Sequence, residues 1–260
     1  MDQAYGDVEV SDGGGRVAVV TIHRPPDNYF DAGLIASIAD AYEAIDEEAD
    51  YRAIVLRSEG RHFCAGAALG PRPGTSSLST SPGRHLYDEA VRIFSTATPV
   101  VASVQGAAIG GGLGLALTAD FRIGTPEARF SANFARLGFH HGFGLTVTLP
   151  EAVGPQKALN LLYTGRRING EEAQRIGLLD VLVPREDLER AAHELAAEIA
   201  ASAPLAVVSI RQTMRGDLPE RIRVATARER AEQDRLTRTA DFAEGVTATA
   251  ERRPPEFAGR

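Results

Sequence analysis

Apolar residues in the first half of the chain form short continuous runs. In the segments between these runs, apolar residues recur at the spacing of a helix. The runs are typical of buried strands and cover Val17 to Ile22, Ala53 to Leu56 and Val100 to Val104. Asp31 stands where it can cap the first intervening helix. The apolar residues of that helix recur every three or four positions and are Leu34, Ile35, Ile38, Tyr42 and Ile45.

The alternation of strands and helices later gives way to helices alone. A second helix is expected from Arg84 to Ala97, and beyond Pro155 the pattern is mostly helical apart from Leu179 to Val183. Proline is favoured in the first turn of a helix, so Pro204 and Pro219 predict helix starts. Strands that alternate with helices predict an α/β fold, in which helices cover a sheet of parallel strands.

Two segments rich in small residues predict irregular structure. Residues 11–15, between Val8–Val10 and Val17–Ile22, are rich in glycine and predict a hairpin. Residues 70–83 are rich in Gly, Pro, Ser and Thr with little apolar content, and predict a mobile loop.

Two further turns of small residues follow two of the strand-like runs. The first is His62-Phe63-Cys64-Ala65-Gly66-Ala67, and the second is Gly-Ala-Ala-Ile-Gly-Gly-Gly at 106–112. Small residues at a strand-to-helix turn let a ligand approach the backbone and leave the first helical N–H groups free for an anion. Two such turns facing each other can direct two N–H groups at one oxygen, the arrangement of an oxyanion hole.

Composition narrows the class of protein. A chain of 260 residues with one cysteine favours a single large α/β domain in a reducing compartment, and a net charge of −7 argues against a nucleic-acid-binding surface. The N-terminus has no basic segment followed by an apolar run. Polar residues and glycines interrupt the most apolar stretch, Pro99 to Ala119. We therefore expect a cytoplasmic protein without nucleic-acid or membrane partners.

Several common catalytic motifs are missing from the sequence. Leu115 occupies the position of the last glycine in a dinucleotide-binding G-x-G-x-x-G loop. There is no G-x-x-x-x-G-K-[ST] loop, no G-x-S-x-G elbow and no H-E-x-x-H spacing. Neither a metal nor a separate cofactor is expected. Cys64, between Phe63 and Ala65, is expected to be a packed side chain rather than a nucleophile.

Four segments occur in the order AIVLRSEGRHFCAGA, TPVVASVQGAAIGGG, ADFRIGTPEARF and RRPPEF. From Val17 to Phe257 the chain thereby resembles the crotonase superfamily, the enoyl-CoA hydratases and isomerases. The resemblance implies an α/β spiral of ββα units with an acyl-CoA site over residues 1–200. It implies a C-terminal helical trimerisation part over residues 201–260, within the same functional unit. The implied partners are an acyl-CoA thioester, with coenzyme A as part of the substrate, and further copies of the chain in a homotrimer or dimer of trimers.

In that superfamily the two turns hold the thioester carbonyl of an acyl-coenzyme A and stabilise its enolate. The donors carried over by position are the backbone N–H groups of Ala65 and Gly111. The substrate-binding residues expected around them lie in the two turns or align with acyl-site positions of the family, and are Ala67, Gly110, Gly114, Phe134 and Phe143. Arg24 stands where relatives carry a basic residue near the phosphates, and Arg61 is the next candidate.

The chain departs from the hydratase pattern at both catalytic glutamates. Their positions are occupied by Gly114 and Phe134, and a shift of one or two residues finds no acidic residue for either. Ala68 stands where an aspartate usually ends the first motif. Because positioned acid–base groups contribute roughly 10²–10⁴-fold each, efficient hydration of a simple enoyl-CoA is not expected.

A pair of histidines offers a different acid–base group. Residues 138–144 include His140 and His141, and in the naphthoate-synthase branch the residue aligned with His141 is a functional aspartate. A histidine near its ordinary pKa can exchange a proton at neutral pH. Adjacent side chains in a tight turn are expected to diverge, so that only one of the two faces the substrate. The alternative is that both are loop residues with ordinary hydrogen bonds.

Three functions stay open. The first is an enzyme that stabilises a thioester enolate, with His141 or a group of the substrate moving the proton. The second is a hydratase with a remote base, Asp88 or Glu89, two residues that otherwise belong to a solvated helical face. The third is a non-catalytic acyl-CoA-binding or partner-binding protein that retains the fold.

Overall fold

A computed structural model of the protein describes residues 3–67, 79–81 and 84–260. Most of the predicted mobile loop at 70–83 therefore lies outside the described residues. The described strands are β1 (Gln3–Tyr5), β2 (Val8–Asp12), β3 (Val17–Ile22), β4 (Ala53–Ser58), β5 (Ser79–Ser81), β6 (Arg84–His85), β7 (Val100–Val104), β8 (Ala107–Ile109), β9 (Phe121–Gly124), β10 (Arg129–Ser131), β11 (Ile168–Asn169) and β12 (Val181–Leu182).

The described α-helices are α1 (Ala32–Glu47), α2 (Leu86–Ser95), α3 (Gly111–Ala116), α4 (Leu145–Val153), α5 (Pro155–Thr164), α6 (Gly170–Arg175), α7 (Leu188–Ala201), α8 (Pro204–Arg215), α9 (Leu218–Leu236) and α10 (Ala240–Glu251). Asp31 caps α1 as predicted, because its carboxylate accepts a hydrogen bond from the N–H of Leu34 at 2.9 Å. Pro204 and Pro219 lie in the first turns of α8 and α9, which confirms both predicted starts.

The main sheet has seven strands in the order β1-β2-β3-β4-β7-β9-β12. β1, β2 and β3 pair antiparallel, which confirms the predicted hairpin at residues 11–15. β3, β4, β7, β9 and β12 are parallel. Parallel neighbours need a crossover connection, and α1 and α2 supply two of them. The predicted α/β architecture is confirmed.

Both faces of the central parallel strands are covered, and their mostly apolar runs, such as Ala53–Leu56 in β4, are typical of such strands. On one face Val20 and Ile22 belong to the large core that includes α1 and α3. On the other face Val17 and Val55 pack against α7, whose small residue Ala192 faces the sheet. The carboxyl ends of β3, β4 and β7 meet at one edge, so the loops that follow them lie together.

Three local predictions differ from the structure. α2 begins at Leu86 rather than Arg84, because residues 84–85 pair with residues 79–81 and the His85 side chain caps the helix. Within the stretch from Leu179 to Val183, which is excepted from the helical pattern, only Val181–Leu182 form a strand. β11, which pairs antiparallel with β10, is absent from the sequence prediction, since two residues are too short to display a period.

The C-terminal helices are joined to the core rather than separated from it. α9 packs against α2, where Phe94, Leu218 and Ile222 form a small apolar cluster. α9 also contacts α4. This long helix therefore borders the turn at residues 138–144 that precedes α4.

Candidate active site

The two small-residue turns lie side by side. Cys64 donates its N–H to the carbonyl of Ala107 at 2.8 Å, and Ile109 donates to the carbonyl of Cys64 at 3.0 Å. A Cβ atom on Gly112 would collide with that same Cys64 carbonyl. Gly66 adopts a φ of +97°, a conformation that favours glycine. The small residues of both turns are therefore required by their close approach.

The backbone amides of the first turn are mostly used within the protein. The N–H of Ala65 donates to the carbonyl of Asp27 at 2.9 Å. The N–H of Gly66 hydrogen-bonds to the sulfur of Cys64, while burial raises the pKa of that thiol to about 12, as suits a packed side chain rather than a nucleophile. Among the residues that the structure describes, the N–H of Ala67 has no acceptor. The assignment of Ala65 as a free donor is therefore corrected: its N–H is occupied, and the available amide of this turn belongs to Ala67.

The second turn also contains one backbone N–H group without an acceptor among the described residues. The N–H of Gly110 donates to the carbonyl of Ser131 at 2.8 Å, so Gly110 has no free donor. Gly111 begins α3, and its N–H has no acceptor within the described part of the chain. Phe30 joins the two turns: its N–H donates to the Gly66 carbonyl at 3.1 Å, and its ring lies where a Cβ of Gly111 would be.

Aromatic rings fill the space at Gly114 and Phe134, the two positions that the sequence resemblance aligns with hydratase glutamates. A Cβ on Gly114 would lie 2.7 Å from the Cβ of Phe143 and 2.8 Å from its ring, so no side chain fits there without moving Phe143. Phe134 is 8% exposed, and its ring packs beside Gly110. The ring of Phe134 also contacts the ring of Phe139, with 5.4 Å between their centroids. Both positions are thus apolar and occupied.

The turn that carries the histidines is tightly constrained. Phe143 has a φ of +61° and is buried, an unusual conformation for a large side chain. A Cβ on Gly142 would collide with the hydroxyl of Tyr87. The rings of His140 and His141 stack with centroids 4.1 Å apart, so the expected divergence of these neighbouring side chains is wrong.

His141 is held through the beginning of α4 and the middle of α9. Its Nε2 lies 2.9 Å from the Oγ1 of Thr146, and that hydroxyl donates to the Oε1 of Glu229 at 2.6 Å. Burial, together with the neighbouring His140, lowers the pKa of His141 to about 4. Its imidazole is therefore neutral at pH 7, so that one of its two ring nitrogens has a free lone pair and can accept a proton.

The predicted phosphate-binding arginine is already paired. Nε of Arg24 donates to Asp7 at 2.6 Å, and its Nη1 lies 3.0 Å from Asp31. Arg61 is exposed, just before the first turn, and has no carboxylate partner in the described part of the chain. Of the two candidates, Arg61 is the one with its charge available.

The two carboxylates considered as remote bases are also committed. Asp88 accepts from the N–H of His85 at 2.8 Å in the capping box of α2. Glu89 is 1% exposed and lies between Arg84, at 3.1 Å, and Arg92, at 2.5 Å. The expectation of a solvated face is wrong for Glu89, because two guanidinium groups neutralise it in a buried position.

Among the described residues, no group of three or more His, Cys, Asp or Glu side chains could hold a metal ion. No single helix among them has the length and apolar character to cross a membrane; the segments 185–201 and 204–215 meet that test only together, as a pair bent by 106°.

Comparison with known proteins decides the family. Residues 12–260 match the family described as enoyl-CoA hydratase/isomerase. A "probable enoyl-CoA hydratase" of Rhodobacter capsulatus is 35% identical over 254 residues, or 97% of this chain and 97% of the relative. This chain belongs to the enoyl-CoA hydratase/isomerase family. Within that family, the carnitinyl-CoA dehydratase of Proteus mirabilis is 31% identical over 95% of this chain and 96% of its own length.

The solved structures agree with this family membership. An enoyl-CoA hydratase/isomerase from Pseudoalteromonas atlantica superposes with a TM-score of 0.87 at 30% identity, covering 97% of this chain and 100% of that chain. The crotonase fold expected from the sequence is thereby confirmed for this member of the enoyl-CoA hydratase/isomerase family.

Sequence reasoning missed Thr146 and Glu229, the two residues that contact His141 from α4 and α9. Glu229 lies 88 positions after His141 in a highly charged helix, so no local motif marks it. One signal was available: Ile222, Thr226, Glu229 and Gln233 recur at helical spacing on the buried side of α9. A glutamate on such a stripe indicates a carboxylate with partners inside the protein.

Proposed function

We propose that this protein is an enzyme that binds an acyl-CoA thioester and stabilises its enolate between the N–H groups of Ala67 and Gly111, without being an efficient enoyl-CoA hydratase. One observation carries the proposal. Two adjoining turns each retain one amide without an acceptor among the described residues, while packed aromatic rings occupy both glutamate positions of a hydratase. The site thus keeps the means to stabilise an oxyanion and lacks the pair of carboxylates that activates water.

The chemistry follows from where negative charge develops. When a proton leaves the carbon next to the thioester carbonyl, its bonding electrons form a carbon–carbon double bond and the carbonyl oxygen becomes an enolate oxygen. Two preorganised N–H donors stabilise that oxygen more than they stabilise the neutral carbonyl. The proton's return to the same carbon or to another one then decides between exchange and isomerisation.

His141 is the base that we assign to this step. It is neutral at pH 7, its turn contacts α3 through Phe143 and Gly114, and Asp88 and Glu89 are committed to other partners. Arg61 is the cation that we assign to the phosphates of coenzyme A. The reaction as proposed requires no cofactor, since protein amides and an imidazole supply all of its groups.

The proposal is tested by α-proton exchange. Purified protein is incubated in heavy water with a panel of acyl-CoA thioesters, and mass spectrometry follows deuterium uptake. We expect uptake with the wild type and a loss of roughly 10²–10⁴-fold in His141→Ala, as for removal of a positioned base. His193→Ala is the matched control, because His193 bonds to the carbonyl of Gly13 on the far side of the sheet.

Each other result contradicts a defined part of the proposal. Equal uptake in the wild type and His141→Ala would remove His141 as the base and keep the oxyanion hole. Tight binding of the thioesters without uptake would favour a non-catalytic acyl-CoA-binding protein. Rapid hydration of crotonyl-CoA would contradict the exclusion of hydratase activity.

A further inference from the structure

Three side chains from different elements form a chain of hydrogen bonds that ends at a buried carboxylate. Glu229 on α9 is completely buried. Its Oε2 accepts from the N–H of Gly144 at 2.9 Å, and its Oε1 accepts from both the N–H and the hydroxyl of Thr146, at 3.0 and 2.6 Å. Burial raises the pKa of Glu229, and these three donors oppose that change. Donors on both oxygens are the arrangement that suits an ionised carboxylate.

The direction of the hydrogen bonds from His141 to Glu229 determines which nitrogen of His141 carries a proton. The Thr146 hydroxyl has a single hydrogen, and it points to Glu229. Towards the Nε2 of His141, at 2.9 Å, Thr146 Oγ1 can therefore only accept. Nε2 must carry the hydrogen, and in a neutral imidazole the lone pair is then on Nδ1.

We propose that Thr146 and Glu229 are positioning residues that hold His141 in its Nε2–H tautomer, with Nδ1 as the nitrogen that accepts the proton. The inference rests on the proposed function, in which His141 is the base. The substrate's α-proton moves to Nδ1 while the hydrogen on Nε2 stays in place. The imidazolium so formed lies 3.9 Å from the Oε1 of Glu229, which supplies the compensating negative charge.

Other contacts keep this arrangement in a single geometry. Gln233, one helical turn after Glu229, donates to the carbonyl of His140 at 2.9 Å and accepts from the hydroxyl of Tyr87 at 2.7 Å. His140 Nδ1 lies 2.7 Å from the carbonyl of His141, which can only accept, so that nitrogen carries a hydrogen. Contacts from α2 and α9 thus fix the histidine turn. Of the three hydrogen-bonded side chains, Glu229 is fully buried, His141 is 19% exposed and Thr146 lies at the surface.

The tautomer can be measured without any turnover. Histidines labelled with ¹⁵N and ¹³C report which ring nitrogen is protonated, and the signals of His141 are assigned by their loss in His141→Ala. We expect the Nε2–H tautomer at pH 7 in the wild type and in Thr146→Ser, which keeps the hydroxyl. Thr146→Val, which has the same shape without the hydroxyl, is expected to mix the two tautomers.

Kinetics provide the second measurement. We expect Thr146→Val to lower the rate of α-proton exchange roughly 10–100-fold, by analogy with the loss of a partner that orients a metal-bound histidine. Thr146→Ser is expected to restore most of that loss. Thr148→Val is the matched control, because Thr148 lies on the same helix as Thr146. Its hydroxyl donates to the carbonyl of Gly144 and takes no part in the hydrogen bonds between His141 and Glu229. The double variant Glu229→Gln, Thr146→Val should exchange α-protons only a little more slowly than either single variant. Both residues act on the rate through the orientation of His141, so their effects do not add.

The outcomes separate this inference from the proposed function. An Nδ1–H tautomer in the wild type, or an unchanged tautomer in folded Thr146→Val, would overturn the inference. The expected tautomer and its dependence on Thr146, together with no exchange of any thioester, would support the positioning role while the proposed function fails. Exchange that is lost in His141→Ala but unchanged in Thr146→Val would support the function and overturn the positioning role.

Discussion

At the scale of single residues, the site depends on which backbone amides are left without an acceptor. Ala65 and Ala67 are two residues apart in the same turn, yet only Ala65 donates within the described part of the protein. Gly110 and Gly111 are direct neighbours, yet only Gly110 donates its N–H within the described part of the protein. Side-chain identity does not distinguish the members of either pair, so the donors follow from geometry alone.

Two proline substitutions in the first turn should therefore have different effects. Ala67→Pro removes an N–H that has no acceptor among the described residues, so we expect the free energy of unfolding to change little. Exchange is expected to fall roughly 10²–10³-fold, as for loss of one oxyanion-hole donor. Ala65→Pro removes the bond to Asp27 and should lower the free energy of unfolding by about 1–3 kcal/mol. Full exchange activity in folded Ala67→Pro would rule out that amide as a donor; urea denaturation supplies the stability comparison.

Gly114 supports a second prediction, about space. A methyl group at this position would lie 2.7 Å from the Cβ of Phe143, so Gly114→Ala should destabilise the protein by about 1–3 kcal/mol through overpacking. Gly33→Ala, at an exposed helical position of α1, should change stability by less than about 1 kcal/mol and serves as the comparison. Urea denaturation measures both. A neutral Gly114→Ala would mean that Phe143 moves easily and that a glutamate could be accommodated.

The protonation of His141 predicts a pH dependence of stability. The titratable groups that face His141 are His140 on its own turn and Glu229 on α9. The pKa of His141 is about 4 in the folded protein and 6.5 ordinarily, so between these values the unfolded chain binds a proton that the folded protein does not. Stability should therefore fall as the pH is lowered from about 6.5 towards 4.

Urea denaturation across that pH range tests the size of this effect. One pKa unit corresponds to about 1.4 kcal/mol, so His141 should contribute a loss on the order of 2–3 kcal/mol. His141→Asn should lose less stability over the same range, and His193→Asn should behave as the wild type does. Parallel pH curves for all three proteins would contradict the lowered pKa of His141.

At the scale of elements, α8 is attached to the body by ion pairs rather than by an apolar face. Arg211 and Arg215 both contact Asp120, at 2.9 and 3.0 Å, and all three side chains are largely buried. Asp120 also accepts from the N–H of Val100 at the start of β7. The carboxylate thus joins a C-terminal helix to a central strand of the sheet.

Asp120→Asn should accordingly be costly. It removes the negative charge that compensates two buried guanidinium groups, and breaking a buried pair costs about 3–5 kcal/mol. Glu220→Gln, which breaks the exposed pair with Arg223, should leave the free energy of unfolding nearly unchanged, because water and salt screen an exposed pair. Urea denaturation of the two variants checks the contrast, and equal effects would contradict the structural role of Asp120.

At the scale of the whole molecule, the outer side of α8 carries large apolar residues in contact with solvent. Leu205, Ile210 and Met214 are 85%, 62% and 81% exposed. Exposed apolar residues grouped on one helix are typical of an interaction surface. The trimer implied by the sequence resemblance stays a prediction, and this helix is where we expect its subunits to meet.

Charged substitutions on α8 test that expectation. Ile210→Asp combined with Met214→Asp should shift the expected trimer or hexamer towards monomer, because the substitutions would place charges on the apolar surface through which the subunits are expected to meet. Glu47→Lys, at the exposed end of α1, should leave the mass unchanged. Light scattering coupled to size-exclusion chromatography measures the mass. A monomeric wild type would contradict the predicted assembly.

The sequence by itself was sufficient for the architecture and for the two turns. Period, capping residues and prolines act through neighbours a few positions apart, so β3, α1 and the starts of α8 and α9 could be predicted. Family resemblance added the prediction that Gly114 and Phe134 stand at the positions of the two hydratase glutamates.

The tertiary structure alone decided which groups of the site are available. The N–H of Ala65 is occupied because the loop at Asp27 folds against it, and Arg24 is neutralised by two aspartates that come together only in the fold. His141 obtains its partner Glu229 from 88 residues away. Hydrogen bonds and ion pairs depend on separations of about 3 Å between atoms that are distant along the chain, and no local pattern encodes those separations.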